Sequence, residues 1–316
     1  MTNLKKEVDQ ILTKQQITLT KILRLNNRFL VARGRKQHQL VTFKILISNN
    51  HYEQDKVGQS ITREANFLNF LQSSGTTLIK NSVNNIIAFK KTEHSWYVKN
   101  FLPGKSQKVK GSGWLFNEQF FNAKNLNWLT NFYQDIYRLS TTLPLNLTKE
   151  FRKSNLIHYE IFLEWENIIA FAEIAKLPLK KDLGRIKRFL ISHRKIFDCS
   201  QTVVNHFEPY ADHIITQKNR TALIDWENVS YGDVAHDPAV IWLRAFNRPA
   251  WQKQLVKNFS VWPNFKQLFN LHVILQSLGN IRYFFDSPFY LDQQQAPLLI
   301  KRLQQYIKLA LDDKII

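Results

Sequence analysis

Residues 221–233 read Thr221-Ala222-Leu223-Ile224-Asp225-Trp226-Glu227-Asn228-Val229-Ser230-Tyr231-Gly232-Asp233, and Asp237-Pro238 follows. A short apolar strand runs into an acidic loop. Just upstream stands His206-Phe207-Glu208-Pro209-Tyr210-Ala211-Asp212-His213-Ile214-Ile215. Two acidic loops, one on each side of a strand, are the part of the chain that decides the fold.

The N-terminal third supplies a counterpart. Residues 1 to 16 read as a short polar helix, and 18–46 as strands, with turn chemistry at Asn26-Asn27 and Gly34-Arg35. In Leu40-Val41-Thr42-Phe43-Lys44-Ile45-Leu46 the period of two puts Thr42, Lys44 and Leu46 on one face. A lysine there is either an edge-strand residue facing solvent or one with a partner. From Ile61 to Gln72, Ile61, Ala65, Leu68 and Leu71 recur at helical spacing, which sets Glu64 on the inward face. Burying that carboxylate alone costs on the order of several kcal/mol. Lys44 is the cation the order of elements offers it. Two more strands, 86–89 and 96–99, flank a turn at Thr92-Glu93-His94. Helices are expected from about 125 to 139, over 156–196, and at 238–247, 264–285 and 295–312.

Segment 221–239 resembles the metal-binding segment of the aminoglycoside phosphotransferase and choline kinase families, and the order of elements extends the resemblance from about residue 18 to about 290. It implies an α+β, two-lobed protein-kinase-like fold. A small antiparallel-sheet lobe with one helix is expected over 1–100. A larger, mainly helical lobe with the catalytic and metal loops is expected over 101–316. The implied activity is ATP-dependent phosphoryl transfer to a hydroxyl of a small molecule, with ATP and Mg²⁺ as cofactors. Asp225 stands where the family holds Mg²⁺, and Glu64 would orient Lys44 onto the nucleotide phosphates. Asn100-Phe101 resembles the hinge whose backbone meets adenine. Glu227, Asn228 and Asp233 would contact metal or substrate, or cap a helix. Asp237 would anchor the catalytic loop.

The catalytic loop departs from the family pattern H-x-D-x-x-x-x-N. His206 is kept, Glu208 replaces the Asp, and His213 replaces the Asn. Glu208 carries the same carboxylate one methylene further out, as the general base. Imidazole is a poor substitute for an amide oxygen on Mg²⁺, so Asp212 is the alternative ligand to His213. Residues 25–29 contain no glycine where kinases cover the phosphates with a Gly-rich loop. Ser140 stands in the position of a family histidine at a helix end. These departures keep a second reading open: an impaired pseudokinase serving as a nucleotide- or polyanion-binding module.

Composition bounds the rest. With 44% hydrophobic and 13% aromatic residues the chain has a core to bury. Its one cysteine, Cys199, excludes an internal disulfide and a cysteine-built metal site. No apolar run approaches a membrane span and no signal core precedes the first strands, so the expected location is cytoplasmic. The formal charge of +19 suits nucleic acid or an anionic surface as partner. No basic block or zinc-knuckle spacing accompanies it, and a solvated Lys-rich surface is the plainer reading.

Overall fold

The computed structural model describes residues 2–48, 50–153, 179, 182–198, 202–218, 220–286 and 290–315. The predicted helix over 156–196 is described only from Leu183 onward, and Cys199 lies outside the described residues. The chain divides into two compact units. The first comprises Met1–Gly104, Pro144–Glu150 and Gln217–Asn228; the second comprises Lys105–Leu143, Phe151–Thr216 and Val229–Ile316. The fold is α+β, an antiparallel-sheet unit and a mainly helical unit, of the two-lobed kinase-like class.

The first unit is built on a five-stranded sheet in the order β1-β2-β3-β5-β4, with β1 at Ile17–Leu25, β2 at Phe29–Lys36, β3 at Gln39–Leu46, β4 at Ile86–Lys90 and β5 at Trp96–Asn100. Each paired strand runs antiparallel to its neighbour. Val41, Phe43, Ile45, Trp96 and Val98 form one apolar face, covered by Val8, Ile11 and Leu12 of helix α1 (Thr2–Lys14). The opposite face packs Phe29, Leu46 and Tyr97 against Ile61 of helix α2 (His51–Ser74), which the short helix α3 (Thr77–Ser82) follows.

Of the two expected turns, only Asn26-Asn27 is one. The Asn26 carboxamide accepts from the N–H groups of Arg28 at 2.9 Å and Phe29 at 2.7 Å. Gly34 instead lies inside β2. A Cβ there would sit 2.8 Å from Ile17 Cγ2 and 2.9 Å from the Thr18 carbonyl, so this glycine admits the close approach of β1. The chain reverses at Gln37, whose φ is 52°.

In the second unit, helix α4 (Ala123–Leu139) starts at Asn122, whose side chain accepts from the Asn125 N–H at 2.9 Å. Ser140 closes it. Its hydroxyl donates to the Ile136 carbonyl and accepts the Val204 N–H at 2.8 Å, joining α4 to strand Val203–Asn205. The helix His236–Arg244 is buried along its whole length. The helix Pro249–Phe259, absent from the sequence expectations, begins with proline in its first turn, where no N–H is missed. Helices Phe265–Asp286 and Tyr290–Leu311 pack against each other. Among the described residues no helix is long and apolar enough to cross a membrane.

Candidate active site

Lys44 lies on the central strand of the five, not at an edge. The register pairs it with Val31 on one side and Tyr97 on the other, and it is buried at 5% exposure. Its ammonium sits 4.5 Å from the ring centroid of Phe29. Three carboxylates of the same unit surround it. Asp225 Oδ1 is at 3.4 Å, Glu64 Oε2 at 3.9 Å, and Glu227 Oε2 makes the closest contact. Burial alone would lower the Lys44 pKa. Asp225, Glu227 and Glu64 outweigh it and raise the pKa above its ordinary value.

The acidic loop is aimed by packing. After strand Arg220–Leu223, Asp225 adopts a left-handed φ of 67°, which a short polar side chain tolerates. Trp226, fully buried, drives inward to Phe67 of α2 with ring centroids 5.2 Å apart. Its Nε1 donates to the Leu223 carbonyl at 3.0 Å. Arg63, one residue before Glu64, clamps the Glu227 carbonyl with Nε at 3.2 Å and Nη2 at 2.5 Å. Anchored through Trp226 and Arg63, the loop presents Asp225 and Glu227 to Lys44.

Glu64 is fully buried and has two closer partners than Lys44. Lys99 Nζ lies 2.7 Å from Oε1, and the Tyr97 hydroxyl donates to Oε2 at 3.0 Å. Burial, followed by the charge of Glu64, raises the Tyr97 pKa. Tyr97 and Lys99 were legible only as members of a short strand. Their meeting with Glu64 required the pairing of β3 with β5, which spacing alone does not reveal. Among the described residues the one cluster of potential metal ligands is Glu64, Asp225 and Glu227, with donor atoms within 4.8 Å of one another. Such a set of carboxylate oxygens suits a hard cation such as Mg²⁺.

The Asn100-Phe101 backbone is largely engaged by its own chain. Asn100 N–H donates to the Asn85 carbonyl at 2.9 Å, and its carbonyl accepts from Asn84 Nδ2 at 2.9 Å. The Phe101 N–H donates to the Leu40 carbonyl at 2.9 Å.

The second unit holds the loop with His206, Glu208, Asp212 and His213. Asp237, fully buried, accepts the N–H of His206 at 2.6 Å and of Phe207 at 3.1 Å. Phe207 has a φ of 75° and stacks on His236, which lies 2.8 Å from Asp237 Oδ1 through its Nδ1. The Glu208 carbonyl accepts from the Tyr210 N–H and from His213 Nδ1, each at 2.7 Å. A carbonyl only accepts, so that His213 nitrogen carries a proton. Glu208 is half-buried, and Asp212 lies 3.8 Å from Lys108 Nζ. Neither Asp212 nor His213 is part of the carboxylate cluster. Burial and the neighbouring Glu208 push the Tyr210 hydroxyl up to about 12.

A lysine ringed by carboxylates on a sheet-and-helix unit, with an Asp-anchored loop in a helical unit, is the arrangement of a kinase-like fold. The phosphotransferase enzyme family model matches residues 129–267, a span that holds His206, Glu208, His213, Asp225 and Asp237. Over nearly the whole chain the fold is similar to that of spectinomycin phosphotransferase, APH(9)-Ia, determined with ADP and spectinomycin. The TM-score is 0.61 at 12% identity, covering 98% of each chain. It is equally similar to choline kinase LicA from Streptococcus pneumoniae, with a TM-score of 0.60 at 12% identity, covering 97% of this chain and 99% of that one. The GDP complex of wild-type aminoglycoside 2'-phosphotransferase-IIIa gives 0.59 at 11% identity, covering 98% of each chain. No curated protein matches the chain by sequence. The resemblance to the aminoglycoside phosphotransferase and choline kinase-like proteins therefore holds in fold across the chain and in sequence over the matched segment.

Proposed function

We propose that the protein is a nucleotide-dependent phosphotransferase acting on a hydroxyl of a small molecule, with ATP as donor. The observation that carries this reading is the convergence of Glu64, Asp225 and Glu227 on a buried Lys44. Lys44 supplies the cationic charge that phosphates need, and Glu64, fixed by Lys99 and Tyr97, orients it. Asp225 and Glu227 are the residues that would hold Mg²⁺, which when bound neutralises phosphate charge. Glu227 takes the second ligand role for which Asp212 and His213 were considered. Glu208 receives the proton of the acceptor hydroxyl, its loop held by Asp237. Hinge contacts to the base pass to the Phe101 carbonyl and the backbone beyond it, since the other groups at 100–101 are engaged. The location consistent with this chemistry is the cytoplasm, where ATP is available.

The test is calorimetric titration with ATP and GTP, each with and without Mg²⁺, on the wild type and Asp225→Asn. The proposal expects nucleotide binding strengthened by Mg²⁺ and a loss of that gain in Asp225→Asn. Absence of nucleotide binding under all four conditions would end it. Binding without turnover of any hydroxyl substrate would instead favour the pseudokinase reading, which the Glu208 and His213 departures support.

A further inference from the structure

The second unit buries an arginine with no acid on it. Arg244 ends the helix His236–Arg244 and is 5% exposed. Its Nη1 donates to the Val240 carbonyl one turn back, at 3.0 Å. Its Nε has no hydrogen-bond partner, and among the described residues no carboxylate forms an ion pair with it. The guanidinium lies instead 4.3 Å from the ring centroid of Tyr210 and 5.7 Å from that of Trp114. Trp114 is itself fixed, its Nε1 donating to Asn280 Oδ1 at 3.1 Å.

A buried cation with no carboxylate in ion-pair contact is costly. A lysine there could shed its proton, but a guanidinium stays charged. Burial does lower the Arg244 pKa, with Tyr210 and Glu208 acting against it. A buried polar group left unsatisfied calls for an explanation, and an anion completing the guanidinium with charge-assisted hydrogen bonds supplies one. The location fits that role, because Tyr210 stands two residues after Glu208 in the loop that carries the proposed base. The aromatic faces of Tyr210 and Trp114 already hold an internal cation, so they are not offered to a cationic ligand.

Resting on the kinase reading, we propose that Arg244 recognises a carboxylate or phosphate on the hydroxyl-bearing acceptor. The substrate class is then a hydroxy acid or a phosphorylated polyol, not a cationic amine. The net charge of +19 draws such anions at long range.

Calorimetric titration of the full chain with glycerate, glycerol 3-phosphate, choline and kanamycin tests this, with ATP–Mg²⁺ titrated separately. The expected result is that glycerate or glycerol 3-phosphate binds the wild type, and which of the two binds tells carboxylate from phosphate. Arg244→Met should weaken that binding by ~10-fold or more, the value of a charge-assisted hydrogen bond. Arg244→Lys should recover part of it, and ATP–Mg²⁺ affinity should stay as in the wild type. The inference is overturned if neither anion binds, if Arg244→Met binds as well as the wild type, or if choline or kanamycin binds more tightly than both anions. Should Arg244→Met fail to fold by circular dichroism, Arg244→Lys decides: wild-type anion affinity there overturns the proposal, and a loss of ~3-fold or more, from a fork reduced to a point charge, supports it. Arg244-dependent anion binding in a chain that binds no nucleotide would remove the kinase reading and leave the anion site standing. Nucleotide turnover without Arg244-dependent anion binding would remove the anion site alone.

Discussion

Glu64 holds Lys99 more closely than it holds Lys44, at 2.7 Å against 3.9 Å. The ion pair expected from sequence is present but shared, and its stronger arm runs along β5. Lys44 is thereby left to Asp225 and Glu227. Removing Lys99 takes the nearest cation from a buried carboxylate, and the predicted cost of Lys99→Met is ~3 kcal/mol of stability. Urea denaturation measures it. Adding Glu64→Gln should restore part of the loss, because the under-compensated charge disappears. A Lys99→Met cost below ~1 kcal/mol would show that the pair contributes no more than a surface bridge.

Lys44 carries a sign that can be checked against pH. Its folded pKa is raised, so the stability it contributes is fully present below the unfolded value of 10.5 and is lost as pH climbs above it. The stability gap between wild type and Lys44→Met should therefore be flat from about pH 7 to about pH 9 and narrow only in more alkaline solution. Chemical denaturation at stepped pH gives the profile. A gap that closes well below about pH 9 contradicts the raised pKa.

The pair Asp233 and His272 acts at the acid end. Both are fully buried, 2.7 Å apart through Oδ2 and Nε2. Burial holds the His272 pKa below its usual value. Asp233 is held low despite burial, by His272 and by the Ala235 N–H. As pH falls below about 6.5 the unfolded histidine takes up a proton that the folded one refuses, so stability drops. Below about pH 4 Asp233 adds a second loss in the same direction. His272→Asn should flatten the first step in a plot of Tm against pH, and an unchanged step would assign it to another group.

Asp237 fixes the backbone of the loop it faces. Asp237→Ala leaves the His206 and Phe207 N–H groups without their acceptor, with a predicted cost of ~3 kcal/mol. Amide hydrogen exchange at those two positions should accelerate more than exchange in α4. Equal acceleration in both would mean the variant is globally rather than locally loosened.

For the chemistry itself, Glu208→Gln should lower turnover at least ~10²-fold if the carboxylate acts as base, with little effect on nucleotide affinity. Wild-type turnover in that variant would shift the role to Asp212.

Local patterns were legible where local physics decides the outcome. The spacing of Ile61, Ala65, Leu68 and Leu71 marked the buried stripe of α2, and all four are fully buried. Alternation marked β3, and short strand runs around the turn at 92–94 marked β4 and β5. The inward Glu64 could be named from the spacing of a single helix, and Asp225 from the family resemblance of its strand-end loop. Lys99, Arg63 and Arg244 could not, since their importance comes from partners far away in sequence. Gly34 misled for a related reason. Glycine signals both turns and close contacts, and only the presence of Ile17 and Thr18 against β2 separates the two. The helix Pro249–Phe259 escaped because its proline reads as a breaker until it is seen to occupy the first turn.

The Asn26 turn has a thermodynamic consequence. Glycine-rich covers over phosphates stay loose until a ligand arrives, and ordering them then subtracts roughly 1–2 kcal/mol per residue from affinity. Here the carboxamide of Asn26 has already gathered the Arg28 and Phe29 amides into a closed hairpin. That conformational entropy is lost during folding rather than at binding. Under the proposed nucleotide reading, the tip would meet a phosphate chain as a preformed turn, its shape set before the ligand arrives.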